Sequence, residues 1–513
     1  MVNKVYSNRI SEYVHESGGR VLLLFLLFLL SIYEFLNSGF NTFTIVCISP
    51  LFIIGTFVLF KWRMSAFWAL IFMNYFLQMK DSPLPSGIPM SLWDEMFELL
   101  LIAIAIVDTR HNSHFERCIN LMLLSIFIWL AFCSLQLFNN TCDLGINVSS
   151  WFISFRLIAL QLLWIFFVFC IYISSPKNLL NYLRIWAVLS LFSAYWTWKQ
   201  KNIGFTPIEY AWLYYGPGQT THLLNAGTLV RYFSTFSDAA NYGCNAAASS
   251  VAFLIIAIST KIKWERIFFA IISICVIWGM FQSGTRTAIF CIAGGFMVYV
   301  VLSKSIKIAV PFGIFLALFM AFLVFTDIGN GNQQIRRMRS AFDSSDASAN
   351  VRDINKAAIK KYIRDAPWGL GIGSTQANIP ANNKYRILSD IPPDSEYVYI
   401  WVHTGVIGIT VFIICMLIMW LGACWIVMFK LRSPSLIGIG GGLCSAFIAI
   451  QLGAYANQVL FQYPNGLTFF GGLAIVYILP SIEKDWIEYE QQRIAKQEEK
   501  KRIKLEKKLA KRV

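Results

Sequence analysis

Three stretches of the sequence set ionisable side chains at the ends of long apolar runs, where charge is costly and needs a reason. Arg231 lies in LVRYFSTFSDAANYG (229–243), Arg286 in FQSGTRTAIF (281–290), and Asp394 and Glu396 in PPDSEYVYIWVHTGVIG (392–408). An arginine carries a permanent, planar fork of donors that suits bidentate binding of phosphate oxygens. Arg286 also follows Ser283-Gly284-Thr285, a sequence that opens a helix, and helix openings favour anions. Together the two arginines bracket a diphosphate site; taken singly, each also reads as an interfacial arginine reaching for headgroups. Asp394 becomes a general base if burial or Glu396 raises its pKa from about 3.9. Its alternative reading is a solvated turn after Pro392-Pro393. His403, nine residues further on, reads as a packed polar histidine inside a span.

A long connection supplies more positive charge: Arg336, Arg337, Arg339, Arg352, Lys360, Lys361 and Arg364. Residues 352–364 predict an amphipathic helix with Val351, Ile354, Ala358 and Tyr362 on its apolar side. Asp365-Ala-Pro-Trp ends it, and GLGIG (369–373) supplies turn freedom. GLGIG follows a helix rather than a strand, which removes a dinucleotide-binding reading. Arg336, Arg337, Arg352, Arg364 and Glu396 are the candidate substrate-binding residues, with Arg231, Arg286 and Asp394 the candidate catalytic ones.

These side chains must be positioned by membrane helices. The chain has 513 residues, 57% hydrophobic and only 14% charged, where soluble domains hold about 25% charged. The fold class is all-α, a polytopic bundle of about fourteen spans with a large, partly helical outer loop. The expected spans are 21–37, 42–60, 64–80, 92–108, 118–138, 151–174, 179–198, 240–259, 265–282, 285–303, 306–326, 398–428, 436–456 and 464–481. Alternate short connections carry Lys61 and Arg63, Arg110 and Arg117, Lys177, Lys261 with Lys263 and Arg266, Lys304 with Lys307, and Lys430 with Arg432. The opposite connections 38–41, 81–91 and 139–150 hold no Lys or Arg. By the positive-inside rule both termini are cytoplasmic, and 199–239 and 327–397 lie outside. The organisation is therefore 1–326, membrane helices including the outer loop 199–239; 327–397, the large outer loop; 398–481, the last membrane helices; and 482–513, a basic cytoplasmic tail.

The net charge of +15 follows this topology and the tail, so nucleic acid is not an expected partner. The cysteines sit mostly in apolar runs, without CxxC pairs or Cys/His clusters, so no metal and no cofactor is expected. The tail mixes Glu and Lys and suits a solvated helix beside the anionic inner leaflet.

In order, spacing and sidedness, three motifs resemble the O-antigen ligase and polymerase superfamily of bacterial cell envelopes, over roughly residues 225–425. RYFSTFSDAANYG (231–243) is similar to its arginine-containing segment before a span, and SGTRTAIF (283–290) to its Ser-x-x-Arg turn. RDINKAAIKKYIRDAPWGLGIGS (352–374) followed by DSEYVYIWVHTGVIG (394–408) resembles its outer-loop pattern. The resemblance implies an inner-membrane glycosyltransferase of lipopolysaccharide or polysaccharide biosynthesis, working on the periplasmic face. It would move glycan from an undecaprenyl diphosphate carrier to an acceptor hydroxyl without a metal, and a chain-length regulator protein is a conceivable partner. Arg231 and Arg286 match the arginines expected to hold the diphosphate. Ligases that load the lipid A core typically show His-Asn where this chain has Asp394-Ser395, which favours a repeat-unit polymerase, with ligation as the alternative. The rival class is a transporter or flippase, which should place charges deep in several spans; here they gather at one face.

Overall fold

The computed structural model describes residues 61–81, 89–108, 113–224, 227, 229–342, 347–375 and 377–509. The first two expected spans, 21–37 and 42–60, and Arg110 lie outside them. The chain divides into two compact units, Met1–Ala66 and Phe67–Val513. The described end of the first is the opening of a helix, α1 (Arg63–Phe76).

The second unit is helical apart from one two-residue hairpin. Helices follow at α2 (Met90–Val107), α3 (Leu121–Leu135), α4 (Val148–Tyr172, with a π-helical turn at Arg156–Leu160), α5 (Pro176–Asn202) and α6 (Pro207–Tyr214). The hairpin β1 (Leu223–Leu224) and β2 (Leu229–Val230) pairs antiparallel. Then come α7 (Ala239–Ser259), α8 (Lys263–Gln282), α9 (Thr287–Ser303), α10 (Ile306–Phe325), α11 (Gln333–Arg339), α12 (Ala347–Ile363), α13 (Glu396–Trp425), α14 (Pro434–Ala456) and α15 (Gly471–Leu509). Among the described residues, seven helical segments are long and apolar enough to cross a membrane, and α9 and part of α10 are shorter apolar helices.

Helix starts follow their capping chemistry. Asn120 accepts from the amides of Met122 and Leu123 to open α3, Asp238 accepts from Ala240 and Asn241 to open α7, and Ser395 accepts from Val398 to open α13. The centre is set by small residues. Along α7 run Gly243, Ala246, Ala247, Ala248, Ser249 and Ser250; α14 answers with Gly438, Gly440, Gly441 and Gly442, which lets backbones approach closely. Accordingly, 83% of an apolar 18-residue stretch is buried in α7 and in α14, against 39% in α8 and 44% in the segment Glu396–Lys430.

The large connection 327–397 is a packed layer rather than a loose loop. Ile359, Ile363, Leu370, Ile379, Tyr385 and Leu388 form a core with Cys142 and with Val398 and Val402 of α13. Here the expected apolar side of the amphipathic helix is corrected. Val351 and Ile354 are exposed at 53% and 66%, while Ile359 and Ile363 are buried, because α13 lies beneath the later turns.

Polar contacts sort the connections into two groups. In one, Arg184 and Arg493 both meet Glu265, Lys261 meets Glu490, Lys304 donates to the Met428 carbonyl, and the Glu483 carboxylate accepts from the amides of Arg432 and Ser433. In the other, residues 231–241, 282–287, 393–396 and 457–465 are joined by the contacts described next.

Candidate active site

The turn Ser283-Gly284-Thr285-Arg286 between α8 and α9 is where the arginines meet. Arg231 leaves β2 with its amide donating to the His222 carbonyl (2.9 Å). Its Nε donates to the Ser283 carbonyl (3.2 Å), Nη2 to Thr285 Oγ1 (3.3 Å) and Nη1 to the Thr221 carbonyl (3.1 Å). Arg337 of α11 donates Nε to the Gly284 carbonyl (2.8 Å). Arg286 reaches Ser340, at 3.4 Å from its carbonyl and 3.3 Å from its Oγ. Gly284 has a left-handed φ of +59°, and a Cβ there would stand 3.2 Å from Arg337 Cδ and 3.4 Å from Arg231 Cγ. Both arginines thus lie against the same glycine.

The electrostatics agree. Burial pushes the Arg231 pKa down, Arg286 and Arg352 add to that, and Asp238 opposes it. Like charges held this closely leave a field that an anion would relieve.

The acidic residues come from the segment that opens α13. Asp394 is partly buried, and its Oδ2 accepts from Asn355 Nδ2 of α12 at 3.1 Å. Arg352 stands one turn before Asn355 on the same helix. The Glu396 carboxylate is buried and accepts from the Leu460 amide (3.2 Å), which assigns it a bracing contact. Arg336 and Arg364 are exposed; Arg336 donates to the Asn330 carbonyl, away from the 283–286 turn. His403 Nδ1 lies 3.2 Å from the Gly371 carbonyl, a packed polar contact as expected.

Sequence reasoning missed the loop 457–465, which covers the gap between the expected spans 436–456 and 464–481 and the start of the second. Asn457 donates to Thr287 Oγ1 (3.2 Å) and Gln458 to the Pro393 carbonyl (2.9 Å). Adjacent residues therefore tie the neighbour of Arg286 to the neighbour of Asp394. Asn465 pairs with Asn241 and Asn245 at 2.6 and 2.7 Å, anchoring the loop to α7. The run NQVLFQYPNG (457–466) is dense in amides between two apolar helices, and that was the available signal. His222 was also missed. Its Nε2 accepts from the Ala239 amide (2.9 Å), pinning the hairpin that carries Arg231 to the start of α7. So was Lys80, whose ammonium donates to the Ser237 carbonyl (2.8 Å) and sits 3.9 Å over the Trp212 ring.

Fold and site define a multi-pass helical membrane protein with a cationic cluster on one face. Residues 271–413 match the model of the O-antigen ligase family. The match supports the resemblance to the O-antigen ligase and polymerase superfamily drawn from the motifs. It takes in Arg286, Arg337, Arg352 and Asp394, and stops short of Arg231 and of the bracing loop. A search of curated proteins finds no match.

Proposed function

We propose that the protein is a glycosyltransferase that elongates a surface polysaccharide, taking glycan from an undecaprenyl diphosphate carrier on the periplasmic side of the inner membrane. The observation that carries this reading is the convergence of Arg231, Arg286 and Arg337 on the single turn 283–286. A diphosphate leaving group develops negative charge as the anomeric C–O bond breaks, and preorganised guanidinium groups stabilise that charge. The acceptor hydroxyl attacks the anomeric carbon, Asp394 takes its proton, and the diphosphate departs on its carrier with the bond electrons. Arg352, one turn before Asn355, holds acceptor hydroxyls or the donor's outer phosphate. Arg364 and Arg336, both exposed, meet the more distant parts of the glycan. The topology proposed with this chemistry is fourteen spans with both termini cytoplasmic.

Ligation to a lipid A core is the second reading, and the family match, described as an O-antigen ligase, speaks for it. Gene deletion followed by size separation of surface glycans separates the two. Loss of a polymerase leaves surface material capped with one repeat unit; loss of a ligase removes it and accumulates carrier-linked polymer. A flippase gives neither pattern, because carrier-linked glycan then stays on the cytoplasmic side.

A further inference from the structure

Away from this site, α2 carries three acidic residues on one buried face. Asp94, Glu95 and Glu98 are 0%, 6% and 0% exposed. Asp94 accepts from Asn74 Nδ2 and Gln161 Nε2, each at 2.8 Å. Glu95 pairs with Arg156 at 3.1 Å, and Arg156 also donates to Ser91. Glu98 has no hydrogen-bond partner on either oxygen among the described residues. Other buried atoms in that condition include Glu95 Oε1, Asn74 Oδ1 and the hydroxyl of Tyr463, whose electrostatic surroundings are Asp94, Gln161, Glu98 and Glu95. One guanidinium against three carboxylates leaves two negative charges over, in a setting where an uncompensated charge is very costly.

Something positive must be bound. Among the described residues no three acidic, His or Cys side chains stand together as a metal ion requires, so the carboxylates do not converge on a common ion. We propose that Glu98, beside Asp94, is a proton-binding site, and that its proton sets how loop 457–465 seats on the bundle. Tyr463 belongs to that loop, and its buried hydroxyl lies within the field of the acids. With Glu98 neutral, the loop rests on an uncharged floor. When Glu98 loses its proton to water at the outer face, a bare carboxylate appears beneath Tyr463 and the floor no longer suits the loop. The charged and titratable groups facing Glu98 are Asp94 and Glu95 on α2, Arg156 on α4 and Tyr463 on the loop; Tyr172, further down α4, donates to the Leu101 carbonyl.

The test uses the purified full chain in lipid nanodiscs. The infrared difference between wild type and Glu98→Gln at neutral pH should contain the carbonyl band of a protonated carboxyl group, separate from any band of Asp94, and that band should shift in Tyr463→Phe. Glu98→Gln keeps the shape and removes the ionisation, so the fold should persist. Hydrogen exchange at residues 457–465 should accelerate with rising pH beyond the ordinary base-catalysed rate in wild type, and not in Glu98→Gln. Absence of that band from the difference spectrum, or parallel exchange in the two proteins, overturns the proposal. Loss of the band when sodium replaces choline at constant pH also overturns it, in favour of a metal cation.

Discussion

At the scale of single residues, the site depends on guanidinium geometry rather than on charge alone. Arg286→Lys keeps the positive charge and loses the fork, so glycan extension should fall at least tenfold, about 1.4 kcal/mol of transition-state stabilisation. Glycan ladders from cells with matched protein levels read this directly. Asp394→Asn keeps the contact with Asn355 and removes the proton acceptor, and general-base loss is typically worth a factor of about 10²–10⁴. An unchanged ladder would leave Asp394 an orienting residue. His222 makes a prediction about pH. Burial, and next Arg231, push its pKa from 6.5 down to about 4, so the fold holds it neutral, with Nε2 free to accept from Ala239. Its contribution to stability is whole above pH 6.5 and is lost as pH falls towards 4. Thermal melting across that range should show the loss in wild type and not in His222→Ala, which starts lower by about 1 kcal/mol, the worth of one buried hydrogen bond.

At the scale of elements, α13 shows what hydropathy can and cannot reveal. The apolar run 398–428 predicted one span, and a helix is there, but it breaks at Gly405, whose φ is +69°. The connection 366–371 docks into the break. Leu370 donates to the Val402 carbonyl, Gly371 to that of His403, and the Pro367 carbonyl accepts from Ile407, so backbone groups freed by the break find partners. A Cβ on Gly405 would lie 2.0 Å from the Pro367 oxygen. Gly405→Ala should therefore cost more than the 1–2 kcal/mol or so of a left-handed residue, and amide exchange at Leu370 and Gly371 should rise. Gly313→Ala, with nothing within 4 Å, should leave both unchanged. The spans that became α7 and α13 were legible because long apolar runs settle them locally, and their caps at Asp238 and Ser395 were not singled out. The break was not legible, since hydropathy carries no φ. Nor was the buried face of α12: Ile359 was chosen over Ile354 by what lies below it, and that is a tertiary fact. The cluster of arginines was half legible, its residues from their types and its meeting point from neither spacing nor charge, because Arg337 reaches Gly284 from 53 residues away.

At the scale of the whole molecule, charge and contact each group the connections. The segments that the positive-inside rule assigns to the cytoplasm, around Lys261, Lys304 and Arg432, are the ones the structure links through Glu490, Met428 and Glu483. The lysine-free and arginine-free connection 139–150 instead meets the layer formed by the connection 327–397, where Asn139 donates to the Trp368 carbonyl (2.9 Å) and Asn383 to that of Cys142 (3.0 Å). Contacts alone define two faces and do not say which is cytoplasmic; charge bias alone says which, and only for short loops. The two together give a single test. Lys384 and Lys263 are both exposed, one in the arginine-bearing layer and the other beside Glu265. A cysteine at each, against an unlabelled parent, should separate cleanly with a membrane-impermeant maleimide. Lys384→Cys should react once the outer envelope is made permeable, and Lys263→Cys only after the inner membrane is broken. The reverse pattern would put the arginine cluster in the cytoplasm, where a carrier already flipped outward could not reach it, and the proposed chemistry would fail with the topology. Reaction of both before lysis would mean that the two connections share a face, against the three crossings proposed between them. The orientation is thus part of the catalytic proposal, because the side of the membrane decides whether the donor and the guanidinium groups can meet.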